Sequence, residues 1–148
     1  MSVAWIAAVD RRRGTLFECT RTSGGEWHVA QRREVSNLWE SCPPRERLGA
    51  VGRGSGASAV RHVADATHEA EEIDLRFART LANWLRDATP ETGGDRVTVF
   101  APPKFVAKVR DAVRETGLEY DVRERELTHL HPSELSEHPA VVELLETT

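Results

Sequence analysis

Hydrophobic positions along this chain recur with a period near two in some stretches and near three and a half in others, and the changes of period mark its elements. Residues 3–9, Val-Ala-Trp-Ile-Ala-Ala-Val, form an unbroken apolar run closed by Asp10 and three arginines, which predicts a central strand covered on both faces. Thr15-Leu16-Phe17-Glu18-Cys19-Thr20 follows a tight Arg13-Gly14 turn, so the two segments should form an antiparallel hairpin. Gly24-Gly25 marks the next turn. Residues 26–35, with Trp27, Val29 and Val35 among polar and charged neighbours, read as a third strand at or near an edge.

The periodicity lapses over 37–66, where Pro43-Pro44, glycines 49, 52, 54 and 56 and several arginines predict a long loop. A helix is expected from an N-cap at Thr67 to about Asp87. Ile73, Phe77, Leu81 and Trp84 recur on one face, and Glu69, Glu71 and Glu72 complement its positive end. Val97 to Ala101 is a second short apolar strand. Pro102-Pro103 then opens another helix, with Phe105, Val106, Val109, Ala112 and Val113 inward and Gly117 as its stop. Residues 118–127 alternate as a last strand with Leu118, Tyr120 and Val122 on one face. Pro132 and Pro139 each read as the first residue of a short helix.

A helix between two strands of one sheet makes them parallel through a right-handed crossover, so this order predicts an α/β domain with a five-stranded mixed sheet, 3-2-1-4-5. Strands 3–9 and 97–101 would then lie side by side in the middle. That arrangement is ribonuclease-H-like, three layers with helices on the faces of the sheet. The 148 residues suit one domain spanning 1–148.

Composition narrows the setting. The net charge of −4, with 30% charged residues of both signs, describes an ordinary soluble surface rather than one that coats nucleic acid, so any basic patch must be local. Two cysteines, Cys19 and Cys42, fit neither a disulfide framework nor a zinc site of cysteine pairs, and a reducing cytoplasm is the expected home. The apolar amino-terminal stretch reads as a buried strand rather than a signal peptide, and no run approaches the ~20 residues that span a bilayer. The oligomeric state stays open, a homodimer included.

Four groups of residues could carry chemistry. At the carboxyl ends of the two central strands, Asp10 and Arg13 should lie beside Pro102 and Lys104, where helix amides and the two cations could hold a phosphate or carboxylate. The same topology invites metal-dependent nuclease chemistry led by Asp10, but the fourth strand ends in Ala-Pro-Pro and supplies no second carboxylate. His68 with Glu71 or Glu72, and His129 with His131, offer imidazoles without a zinc signature, so no metal is expected. Arg45, Arg47, Arg53, Arg61 and His62 could meet RNA phosphates from the loop. Its Gly-x-Gly-x-Gly run lacks the setting of a nucleotide loop, and no cofactor is expected.

Several segments stand in a familiar order: Asp10-Arg11-Arg12-Arg13-Gly14-Thr15-Leu16-Phe17, His68-Glu69 leading to Arg76-Phe77-Ala78-Arg79, Ala101-Pro102-Pro103-Lys104-Phe105, and Glu126-Leu127-Thr128-His129-Leu130. Together they resemble the bacterial host attachment protein family, proteins described as required for attachment to host cells. That family is in turn distantly similar to the middle domain of archaeal and eukaryotic peptide release factors, which carries a Gly-Gly-Gln loop. Here the equivalent loop reads Gly52-Arg53-Gly54-Ser55-Gly56-Ala57, so the resemblance does not extend to hydrolysis of peptidyl-tRNA. It implies a non-enzymatic binding or adaptor protein, with a ribosome, RNA or another protein as partner. The alternative is a metal-dependent hydrolase acting on a nucleic acid or phosphorylated substrate.

Overall fold

The computed structural model describes residues 3–38, 58–93 and 95–147, with backbone alone for 58–67. Its elements are β1 (Val3–Val9), β2 (Arg13–Arg21), β3 (Trp27–Ser36), α1 (Ser58–Asp87), α2 (Thr89–Thr92), β4 (Val97–Ala101), α3 (Val106–Glu115), β5 (Asp121–Glu124), α4 (Pro132–Leu135) and α5 (Pro139–Glu146). The five strands form one sheet in the order β3-β2-β1-β4-β5, as predicted. β1 runs antiparallel to β2 and parallel to β4, with Trp5 opposite Val97 and Ala8 opposite Phe100.

Because successive side chains of a strand point to opposite faces, the unbroken apolar run of β1 feeds two cores at once. Trp5, Ala7 and Val9 join Val97, Val99 and Ala101 of β4 beneath α1 and α3, against Phe77, Leu81, Leu85, Phe105 and Val109. Ala4, Ile6, Ala8 and Phe100 face the other way, toward Leu127, Leu135, Val141, Leu144 and Leu145 of the carboxyl-terminal segment. The result is a three-layer α/β arrangement, consistent with the ribonuclease-H-like reading.

Four local expectations need correction. The long helix already includes Ser58, so Thr67 and residues 58–66, expected in the loop, lie inside it, while the rest of the expected loop from 39 on lies outside the described residues. Nothing after Gly56 breaks a helix, and Ala59, Val60, Val63, Ala64 and Ala66 supply apolar helix-compatible residues. The helix after the paired prolines begins at Val106, because the amides of Phe105 and Val106 both turn back to the Pro102 carbonyl at 2.9 Å. β5 is only four residues long, with Val122 buried and Leu118 and Tyr120 packed against the core outside the strand. The β1–β2 turn falls on 10–12, and Gly14 is already in β2.

Gly14 is required by close approach rather than by turn geometry. A Cβ there would sit 2.6 Å from Leu81 Cδ2, 3.2 Å from Val9 Cγ1 and 3.3 Å from a Trp84 ring carbon. Leu81 is fully buried and has nowhere to retreat, so α1 rests on β2 only because the side chain is missing. At the sheet edge, the β2–β3 register shifts between Leu16 and Phe17, which pair with Arg33 and Gln31 and leave Arg32 as the extra residue of a bulge. A bulge and charged side chains blunt an edge strand against further pairing. Arg32 lies 2.8 Å from the Glu18 carboxylate.

Two outcomes follow from this packing. Gly14→Ala should lower the midpoint of urea unfolding by an amount equivalent to about 1–3 kcal/mol with an unchanged m-value, the signature of overpacking without altered compactness. Cys19 is fully buried, and burial first, with Glu18 adding to it, raises its thiol from 9.0 to about 12. The folded chain therefore keeps this proton while the unfolded chain loses it, so the contribution to stability is complete below about pH 9 and declines as pH rises toward 12. In a Cys42→Ser chain, a disulfide reagent at pH 8 should modify Cys19 only at the rate of unfolding; rapid stoichiometric labelling of the folded protein would contradict this.

Candidate functional site

The parallel register of β1 and β4, carried one step past Val9 and Ala101, brings Asp10 beside Pro102. Asp10 organises the turn that follows it. Its Oδ1 accepts from the amides of Arg12 at 2.7 Å and Arg13 at 2.8 Å, and its own amide donates to the Arg13 carbonyl at 2.8 Å. This is the local capping that short acidic side chains supply in turns. Its Oδ2 accepts from the Thr128 hydroxyl at 2.6 Å, which ties the turn to a segment more than a hundred residues away.

Three further contacts hold the same turn. The Arg11 Nε lies 3.0 Å from the Asp74 carboxylate of α1, and Asp74 is only 5% exposed. Asn37, also buried, donates its side-chain amide to the Arg11 carbonyl at 2.9 Å and its backbone amide to the Arg12 carbonyl at 2.7 Å. The Arg13 guanidinium donates to the Thr128 carbonyl. The arginine-rich turn is thus bound to β3, α1 and the carboxyl-terminal segment together.

On the facing side, Phe105 is fully buried and stacks on Phe77 of α1, with ring centroids 6.4 Å apart and planes 15° from parallel. This anchor fixes the Pro102–Phe105 turn at the end of β4 and leaves Lys104 exposed. The prolines have no amide hydrogens, and the next free amides include two spent on the Pro102 carbonyl. A grip on an anion here depends on side chains rather than on the helix amides that the sequence suggested.

Between the two turns lies a cleft of about 530 Å³, lined by Asp10, Arg11, Arg12, Pro102, Pro103, Lys104, Phe105 and Glu126. It brings Asp10, Pro102 and Lys104 together but not Arg13. Arg13 lines a separate cleft of about 370 Å³ with Thr128 and His129. Arg11 is held by Asp74, whereas Arg12 and Lys104 are exposed and make no ion pair with any described residue. These two are the cations available to a ligand.

The remaining candidates are scattered. His68 is exposed on α1 and lines neither cleft. His131 caps α4, its Nδ1 accepting from Ser133 at 3.3 Å while its amide donates to Glu134 at 3.1 Å. Arg45, Arg47 and Arg53 lie outside the described residues, and Arg61 and His62 fall on the backbone of α1 with their side chains outside them. Among the described residues, no three His, Cys, Asp or Glu side chains gather as metal ligands would.

Residues that build the site without having been named as ligand candidates are Arg12, Asn37, Asp74, Glu126 and Thr128. Arg12, Glu126 and Thr128 lie in the segments that resemble the attachment family, and Asp74 left a trace of its own. Asp74 occupies the stripe that continues through Phe77, Ala78, Leu81 and Leu85, and an acid on a buried helical face calls for a cationic partner. The partners of Asn37 and Thr128 depend on contacts across the fold and had no local signal.

A comparison with curated proteins finds no match for the chain. A family model does match, over residues 5–138, under the description "protein required for attachment to host cells". The matched span contains all four resembling segments, and in the fold they are joined by contacts: Asp10 bonds Thr128, Gly14 underlies α1, and Phe77 stacks on Phe105. The chain belongs to the family of proteins required for attachment to host cells.

Proposed function

We propose that this protein is a non-enzymatic binding or adaptor protein whose cleft between the 10–13 turn and Pro102–Phe105 grips an anionic group of its partner through Arg12 and Lys104. The observation that carries this reading is the state of Asp10. Both of its carboxylate oxygens already accept hydrogen bonds, from Arg12, Arg13 and Thr128. The strand-end carboxylate that would lead a metal-dependent hydrolase is thereby a structural cap, and among the described residues Glu126 is the one other carboxylate lining the cleft. The hydrolase reading has no comparable support.

The partner best suited to two exposed cations beside rigid prolines is a phosphate backbone, and RNA, free or in the ribosome, is the form favoured by the family's likeness to release-factor middle domains. A free thiol at Cys19, buried in the core, suits a reducing compartment, which favours an indirect role in attachment exercised from inside the cell. No helix among the described residues is long and apolar enough to cross a membrane.

Fluorescence anisotropy with a labelled single-stranded RNA, titrated over a range of salt concentrations, tests this reading. The wild-type chain should bind with affinity falling steeply as salt rises. Arg12→Ala/Lys104→Ala should weaken binding about tenfold or more and flatten the salt slope by about 0.7 for each phosphate that is no longer neutralised. Absence of association at low salt, or binding that the double substitution leaves unchanged, would contradict it.

A further inference from the structure

The amino ends of β1 and β4 lie together at the end of the sheet opposite the Asp10 turn. A cavity of about 140 Å³ opens there, bordered by Val3, Arg96, Thr98, Arg123 and Thr147. Nothing in the proposed anion grip uses it.

Its distinguishing group is Thr98. Successive residues of β4 alternate between the two layers, and Val97, Val99 and Ala101 face α1 and α3, so Thr98 and Phe100 face the carboxyl-terminal helices. Thr98 is only 2% exposed, yet its hydroxyl makes no hydrogen bond with any described residue. The other buried polar side chains behave differently: Asp74 meets Arg11, Asn37 donates to the Arg11 carbonyl, and Thr92 donates to the Thr89 carbonyl at 3.0 Å. A buried hydroxyl left unpaired is disfavoured, so one kept against a cavity points to a group that it is there to meet. Trp5, whose ring joins the core beneath α1, borders the same cavity, and among the described residues its Nε1 is likewise buried without a partner.

The charged groups on the rim are cations. Arg96 is exposed and makes no ion pair with a described residue. Arg123 gives its Nε to Asp121 at 2.8 Å, which leaves its terminal nitrogens for the two-pronged contact that a guanidinium makes with a carboxylate. Asp121 and roughly half a negative charge at the carbonyl end of α5 oppose the two arginines, and the balance stays positive. At that helix end the Thr147 hydroxyl already donates to the Leu144 carbonyl at 2.8 Å, which quenches part of the opposing charge.

We infer that this cavity binds the carboxylate of a small aliphatic acid. The Thr98 hydroxyl donates to a carboxylate oxygen, Arg96 and Arg123 neutralise the charge, and the partly buried Val3 offers apolar surface to a short tail. The space, roughly four or five water volumes, holds such an acid and is well below the roughly 300–1,000 Å³ of pockets that take drug-sized ligands.

The test titrates the isotope-labelled chain with propionate at constant ionic strength, with chloride and inorganic phosphate as comparison ligands, and follows the Thr98 amide by nitrogen-proton correlation spectroscopy. Propionate should shift that resonance to saturation, chloride should not, and phosphate should bind more weakly. Thr98→Val keeps the branched shape and should weaken propionate about tenfold or more. The same substitution should leave the midpoint of urea unfolding unchanged or raised, a split that a purely structural hydroxyl would not show. Arg96→Gln alters an exposed position and should weaken propionate about threefold or more. Absence of a saturable shift, equal shifts with chloride, or affinity unchanged in either variant would overturn the inference. Tighter binding of phosphate than of propionate would overturn the assignment to a carboxylate. If Thr98→Val fails to fold, Arg96→Gln alone decides.

Discussion

The pairing of β1 with β4, parallel and at the middle of the sheet, is the constraint from which the rest of the architecture follows. Among the described strands, these two alone combine near-continuous apolar character with burial on both faces. Each must therefore be covered from two sides, by α1 and α3 on one and by the carboxyl-terminal helices on the other. Parallel neighbours also end together. That coincidence sets the arginine-rich turn after β1 beside the paired prolines after β4, and a cleft between two such turns is a consequence of topology before any side chain is chosen.

What the side chains then decide is whether the cleft is built for chemistry or for holding something. Asp10 stands where a catalytic carboxylate would, yet its bonding is that of a keystone for the turn, reaching Thr128 across the sequence. Arg11 and Asn37 complete the bracing through α1 and β3. Rigid walls with two uncommitted cations suit recognition, where preorganisation reduces the cost of binding. The same bracing joins segments that lie far apart in the chain, Asp10 to Thr128 and Phe77 to Phe105 among them.

Much of this was legible in the sequence, and the parts that were not have physical causes. Sheet order and strand direction followed from alternating periods and from crossover handedness, which depend on patterns spread over many residues. The prolines at 132 and 139 marked the starts of α4 and α5 because a fixed φ and a missing amide belong in a first helical turn. The start of α1 was hidden, since Ala, Val and Arg between 58 and 66 are equally at home in a loop next to glycines. Gly14 looked like a turn residue and proved to be a spacer beneath Leu81, a distinction that only the partner helix makes visible. At the site, the neighbourhood of Asp10, Pro102 and Lys104 was readable from topology. The choice of Arg12 over Arg13 was not, because which of three adjacent arginines finds the Thr128 carbonyl depends on the path of a distant segment.

The claim that most of this rests on is that the Asp10 carboxylate is a structural tie to Thr128. A double-mutant cycle with Asp10→Asn and Thr128→Ala, read by equilibrium urea unfolding, measures that tie in isolation. The account predicts that each single change destabilises the fold and that the pair is coupled by about 1–3 kcal/mol, as for a charge-assisted hydrogen bond between groups in contact. Strict additivity, with Asp10→Asn leaving stability intact, would contradict it and leave Asp10 free to act on a ligand.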